Sequence, residues 1–377
     1  MKTRDKLLSQ EVSVIIINMI LGIGTVELPS RLAQEAGPDG IIAYLIAVGI
    51  VVFATLLYCW LTLRFPKQGF ADYSAQLTGR VIGFILSLAF TAFYVGVCSS
   101  VLRAFTNITK YFLLQRTPLE VIMVSMLFAT SILARNGLQP IARSCQIILM
   151  ILLVPVFLLP FFIPIFEFGE FLPLFQTSMP NMMKATFSAL FSLAGAEVLL
   201  IVGSHSDKKS RLVRQALGGV LFAGFFTGGI VILSFGSLSI EQTAKHTEPV
   251  FEMIKYVPVP ILLLERVDIF YYTIWIAATY STITIGLFAA SHNLAETFKL
   301  ESGKGFVIPL AAVTYYLATL PKNELEVQAF SAFMSICWTI LTFGIVPVLI
   351  LLSYIRKKGE PVLKRNKSKQ QAKEANP

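Results

Sequence analysis

The chain is 377 residues long, 55% hydrophobic and only 14% charged, with a mean hydropathy of +0.72. That leaves too little polar surface for a soluble protein of this length, and its continuous apolar runs exclude a membrane barrel, whose strands alternate. A formal net charge of +9 would suit a nucleic-acid binder, but the placement of the charges points to a membrane instead.

Windows of roughly 20 apolar residues recur at about 11–35, 41–64, 81–114, 119–136, 138–166, 182–204, 214–236, 262–299, 305–321 and 327–355, predicting ten spans. The charged segment before the first span has no small-residue cleavage site after it, so that span is read as structure. With the N-terminus inside, 22 of the 31 basic residues fall on inner segments and the tail, which predicts cytoplasmic termini. The expected organisation is a short cytoplasmic segment 1–10, one transmembrane domain 11–355, and a basic cytoplasmic tail 356–377 lying near anionic lipid headgroups.

The first span carries Asn-Met-Ile-Leu-Gly-Ile-Gly-Thr-Val-Glu-Leu-Pro-Ser from Asn18 to Ser30. Helix breakers at membrane depth are tolerated only where the freed backbone is buried in protein or lines a cavity. The sixth span has a comparable interruption, Ser192-Leu-Ala-Gly-Ala-Glu197. Spans 3 and 8 are the longest, so at about 1.5 Å per residue they must tilt or project beyond the bilayer. Features recurring five spans apart predict a five-plus-five inverted repeat over 11–166 and 182–355.

Among the connections, Phe65 to Tyr73 reads as a turn followed by a short amphipathic piece. Residues 237–261 read as one interfacial helix, with Glu241, His246, Glu248, Glu252 and Lys255 on a face and Pro258 and Pro260 ending it. The alternatives for it are a plain surface helix, a gate or a partner contact.

Three ionisable residues sit inside spans: Glu27, Arg103 and Glu197. Such residues are costly in hydrocarbon and are functional candidates, the other reading being an internal ion pair that fixes packing. A helix that restarts in mid-membrane presents unpaired N–H groups with about half a positive charge, a site for a carboxylate. Gly22 and Gly24, with Thr25, Glu27 and Pro29 close behind, would let a ligand approach the backbone. Glycine at a helix contact is the competing reading, and it is preferred for Gly218, Gly219, Gly228, Gly229 and Gly236 in span 7. Two glutamates beside a bound carboxylate require a protonated form or a counter-ion, for which Arg103 is a candidate; a glutamate that changes protonation on binding would be a proton-coupling group. The hydroxyls of Tyr280-Ser281-Thr282-Ile283-Thr284 either face a site or bond carbonyls four residues back.

The four cysteines lie inside spans without paired spacing, and the three histidines are not grouped. No nucleotide loop, metal-ligand set or nucleophile elbow occurs, so neither enzyme activity, a metal nor a cofactor is expected, and nucleic acid is not an expected partner.

The segments Gly-Ile-Gly-Thr-Val-Glu-Leu-Pro (22–29) and Leu-Ala-Gly-Ala-Glu (193–197) resemble the broken helices of the amino acid–polyamine–organocation transporter superfamily. More narrowly, Tyr-Phe-Leu-Leu-Gln-Arg-Thr-Pro (111–118), Leu-Glu-Arg-Val-Asp-Ile-Phe (264–270) and Phe-Ala-Ala-Ser-His-Asn-Leu-Ala-Glu-Thr-Phe (288–298) resemble the B subunits of spore germinant receptors. The resemblance implies an all-α integral membrane protein of LeuT-like architecture with helices 1 and 6 broken. It implies a germinant-sensing subunit in the spore inner membrane that recognises a small amino acid or similar nutrient and assembles with an A subunit and a lipoprotein C subunit. It places the pocket between spans 1, 3, 6 and 8, at Gly22, Gly24, Val97, Ala194, Gly195, Glu197 and Thr282. Val97, Ser100, Val101 and Ala104 follow the spacing of one helix face, which suits a compact ligand and tight helix packing equally. Glu27 departs from the uncharged residue expected there. The alternative functions are a proton- or sodium-coupled amino-acid permease and a structural scaffold with a vestigial pocket.

Overall fold

Without water to bond their backbones, the apolar runs close their hydrogen bonds internally as helices. The computed structural model describes residues 7–22, 24–66, 68–257 and 267–360. Residues 1–6, Ile23, Pro258, Pro260, residues 264–266 of the span 8 motif and the tail from 361 onward lie outside the described residues.

In chain order the helices are α1 (Ser9–Leu21), α2 (Leu28–Ala36), α3 (Gly40–Arg64), α4 (Phe70–Thr78), α5 (Arg80–Phe112), α6 (Leu119–Asn136), α7 (Leu138–Leu152), α8 (Leu159–Phe162), α9 (Met179–Ser192), α10 (Leu199–Val202), α11 (Leu212–Leu238), α12 (Ile240–Lys245), α13 (Pro249–Lys255), α14 (Val267–Thr297), α15 (Val307–Thr319), α16 (Glu324–Thr339) and α17 (Val346–Ile355). A π-helical turn, Ile340–Ile345, joins the last two. Among the described residues, seven tracts are long and apolar enough to cross a membrane, and α9 with Ala196–His205, bent by 46°, makes an eighth. The helices α1 and α15, at 13 residues each, account for the other two of the ten expected spans.

The framework is the pair α5 and α14, with 33 and 31 residues, or about 50 and 47 Å at the rise of an α-helix. Polar contacts tie them along their length. Asn293 Nδ2 donates to Ser87 O and Thr91 Oγ1 at 2.9 Å each, and Tyr272 OH donates to Thr109 Oγ1 at 2.5 Å. Between these ends Gly286 leaves room for Cys98. The short α4 begins after Gly69 and buries Phe70, Tyr73 and Leu77 against the bundle, as the amphipathic reading of that connection expects. Its Phe70 ring stacks on Phe90 of α5, with centroids 4.2 Å apart.

Where α1 begins, Leu7 clasps the end of span 6. Its N–H donates to His205 O at 3.0 Å, Asp207 N–H donates to Leu7 O at 2.9 Å, and Ser9 Oγ donates to Asp207 Oδ1 at 2.7 Å. The glycine-rich α11 lies against α1 and α3. A side chain on Gly219 would press on Ser13 O, and one on Gly228 would press on Tyr44, so these two are close-packing glycines, whereas Gly218 and Gly229 face open space.

The 237–261 connection is not one helix. Ser239 at φ 72° starts α12, the chain leaves helical geometry at His246 (ψ 136°), and Pro249 opens α13. Proline needs no N–H partner at a first helical turn, so it restarts the helix more readily than it would continue one.

Candidate functional site

The break in the first span has a local cause. α1 ends at Leu21, Gly24 takes φ +120°, a conformation side-chain-bearing residues rarely adopt, and Pro29 sits in the first turn of α2. The carbonyls left over at the end of α1 find partners nearby. Thr25 Oγ1 donates to Leu21 O at 2.9 Å, and Thr282 Oγ1 from α14 donates to Asn18 O, also at 2.9 Å. Leu28 N–H, at the start of α2, donates to Gly24 O at 3.0 Å.

The sixth span breaks after Ser192, and Gly195 at φ +146° turns the chain into a 3-10 turn that leads into α10. A Cβ on Gly195 would lie 2.9 Å from Ile20 Cγ1, so the two breaks are in contact. The carboxylate of Glu197 is turned back onto its own break. Its Oε2 accepts Gly195 N–H at 2.8 Å and Trp338 Nε1–H, from α16, at 3.1 Å. Donors that the sequence offers to a ligand carboxylate at this break are thus taken by a carboxylate of the chain itself. Glu197 Oε1 is buried and has no hydrogen-bond partner among the described residues.

Beside the first break lies a cavity of about 40 Å³, lined by Gly22, Gly24, Val26, Glu27 and Arg31, by Ser100, Val101, Ala104 and Ile108 of α5, by Phe191 and Ser192 of α9, by Trp275 of α14 and by Ser331 of α16. It has room for about three water molecules. Ser100 and Ser331 hydroxyls are 2.9 Å apart across it. Glu27 is paired with Arg31, carboxylate Oε2 to guanidinium Nη2 at 2.9 Å, one helical turn along α2.

Of the residues singled out in the sequence, Gly22, Gly24, Glu27, Ser100, Val101 and Ala104 line this cavity. Val97, Ala194, Gly195, Glu197 and Thr282 are buried around it without lining it, and Thr25 lines a separate narrow crevice with Leu21 and Leu152. Arg103 is not the counter-ion of Glu27 or Glu197 among the described residues. It faces the fields of Glu324, Glu120 and Glu326, and its Nε is buried without a partner there. In the hydroxyl cluster, Ser281 and Thr284 donate to Ala278 O and Tyr280 O within α14, and among the described residues only Thr282 reaches another helix. Sequence reasoning missed Arg31, Ile108, Phe191, Trp275 and Ser331. The spacing of Glu27 and Arg31, four residues apart, is the one available signal.

A polar vestibule of about 790 Å³ opens nearby, lined by Asn107, Lys110, Glu248, Glu252 and Glu324 among others. Burial pushes the Glu248 carboxyl up to about 8, and the carboxylates of Glu27, Glu324 and Glu252 add to the shift. Asn107 in its lining is the sequence neighbour of Ile108 in the wall of the small cavity.

A family model described as "Spore germination protein" matches residues 6–327. The chain belongs to the spore germination protein family. Spore germination protein YndE of Bacillus subtilis (strain 168) is 27% identical over 361 residues, covering 94% of this chain and 98% of that protein. Among solved structures, the nucleobase-cation-symport-1 family transporter MHP1, in a closed conformation with bromovinylhydantoin bound, superposes with a TM-score of 0.67 at 14% identity, over 91% of this chain and 79% of that one. MhsT in complex with L-phenylalanine superposes with a TM-score of 0.64 at 15% identity, over 92% and 97%. This germination protein is therefore an all-α, multi-pass membrane protein of the LeuT-like fold, with a receptor or permease character, and not an enzyme.

Proposed function

We propose that this protein is the nutrient-sensing subunit of a spore germinant receptor, holding a small amino acid or similar nutrient where the breaks of spans 1 and 6 meet. The observation that carries the reading is the 40 Å³ cavity beside the α1–α2 break, with small or hydroxyl-bearing walls at Gly22, Gly24, Ser100, Ala104 and Ser331. A cavity that admits about three waters has to widen to take an amino acid. A nutrient therefore binds a wider state more tightly than the compact one, which is the condition for a ligand to shift an equilibrium. The half-helices α2 and α9, which pack on each other, supply the movable wall. Gly24 and Gly195, with their positive φ, are the hinge points.

The germination relatives support a role in starting germination, and the L-phenylalanine in the MhsT complex supports an amino acid as ligand on this fold. In this reading the protein lies in the spore inner membrane with both termini cytoplasmic, and it signals to an A subunit and a lipoprotein C subunit. A coupled permease is the second reading, favoured by the likeness to the transporter MHP1.

Uptake of labelled amino acids into vesicles holding this protein alone, set beside germination of a deletion strain, separates the two. The sensor reading expects no accumulation above empty vesicles and loss of germination with one nutrient. Robust uptake with normal germination overturns it.

A further inference from the structure

On the membrane-facing surface, α6 and α15 run side by side in opposite directions and enclose a groove of about 660 Å³. Its walls come from one face of each helix. Val124, Phe128 and Ile132 recur at four-residue spacing on α6, and Ile308, Ala312 and Tyr315 at three to four on α15. Four of these, Val124, Phe128, Ile132 and Ile308, are more than half exposed, so the groove is an uncovered apolar surface.

At one end the groove changes character. Arg135, in the last turn of α6, and Lys304, in the turn that leads into α15, both border it, with Asn136 beside them and no carboxylate in the lining. Neither cation has an ion pair or hydrogen bond with a described residue. From Arg135 to Val124 is eleven residues, and from Lys304 to Tyr315 is eleven more. At about 1.5 Å per residue each wall is roughly 16 Å long, about half of a hydrocarbon core near 30 Å thick. An apolar trough the depth of one leaflet, ending in two free cations at headgroup level, has the shape and charge of a phospholipid with an anionic head.

We propose that this groove binds one anionic phospholipid, its phosphate between Arg135 and Lys304 and an acyl chain along α6 and α15. Charge and length together select this occupant. A zwitterionic lipid would bring a cation to Arg135 and Lys304, and a helix from a partner protein would have no reason to stop at mid-membrane.

The test is native mass spectrometry of the full-length protein released from nanodiscs of phosphatidylcholine with a minor share of phosphatidylglycerol. The expected result is one retained phosphatidylglycerol, with retention falling at least about fivefold in R135Q/K304Q. Retention also falls in A312W, which fills the trough while leaving both cations in place, and it persists in R135K. Equal retention of the two lipids, or unchanged retention in both R135Q/K304Q and A312W, overturns the proposal. So does a photo-crosslinker at Phe128 that captures a polypeptide in place of lipid when the protein sits in its native membrane.

Discussion

Glu197 is the residue whose surroundings say most about the site. A buried carboxylate is expensive in hydrocarbon, and here it is held by Gly195 N–H and Trp338 Nε1–H, so removing it strands two buried donors. Glu197→Ala is expected to destabilise the protein by ~1–3 kcal/mol for each donor left unpaired. Glu197→Gln keeps an acceptor oxygen in place and should cost markedly less; thermal unfolding of the two purified variants measures the difference, and equal losses would remove this role from the carboxylate. Gly22 makes a second case. A methyl there would collide with Thr282 Oγ1 and Ala278 O on α14, so Gly22→Ala should lower stability by about 1–3 kcal/mol. In G22A/T282A the hydroxyl half of that clash is gone, and recovery of part of the loss in the double variant would confirm that the contact, and not lost backbone freedom, is responsible.

The helices and their interruptions were readable in sequence because glycine, proline and glutamate stand out in apolar runs, and the break after Ser192 falls where the residues put it. What the breaks do was less readable. Trp338 reaches Glu197 across 141 residues of sequence, and Ser331 enters the cavity from α16; neither carries a local signal. The pairing of Glu27 with Arg31 was legible by spacing, four residues apart, although Arg103 is the cation that stands out inside a span. The connection after α11 splits into α12 and α13 because Pro249 starts a new helix, which brings Glu248 to the head of α13. There its carboxyl is pushed up to about 8 by burial and by Glu27, Glu324 and Glu252, while Lys245 and Lys255 are engaged by Glu241 and Glu252. A carboxyl raised in the fold binds its proton more tightly there than in the unfolded chain. Its share of stability is therefore greatest in acid and declines as pH rises from about 4.5 towards about 8. Comparing unfolding of the parent protein and Glu248→Gln across that range should show a decline in the parent that the variant lacks; parallel curves would contradict it.

For the molecule as a whole, the long pair α5 and α14 is a fixed frame, and the half-helices α1–α2 and α9–α10 meet beside it. Leu7 clasps the far end of span 6 at His205 and Asp207, whereas α2 and α9 are joined through Glu35, which accepts from Ser188 Oγ at 3.1 Å and lies 3.7 Å from Lys184 Nζ. MHP1 and MhsT, which share this fold, carry bound small molecules, and here the cavity beside the α1–α2 break is compact, at about 40 Å³. A receptor needs such a region to be sensitive to occupation but needs no passage to the far side. The central claim is that the cavity at the α1–α2 break is where the nutrient is read, and Ala104 is the wall residue best suited to test it, being small and not part of either break. The most direct measurement is the germination dose response, over a panel of amino acids, of spores carrying Ala104→Leu, with the amount of receptor in the membrane checked alongside. The account predicts that the nutrient concentration needed for half-maximal germination rises by about tenfold or more, the equivalent of roughly 1.4 kcal/mol of lost binding, at unchanged receptor amount; an unchanged dose response would contradict it.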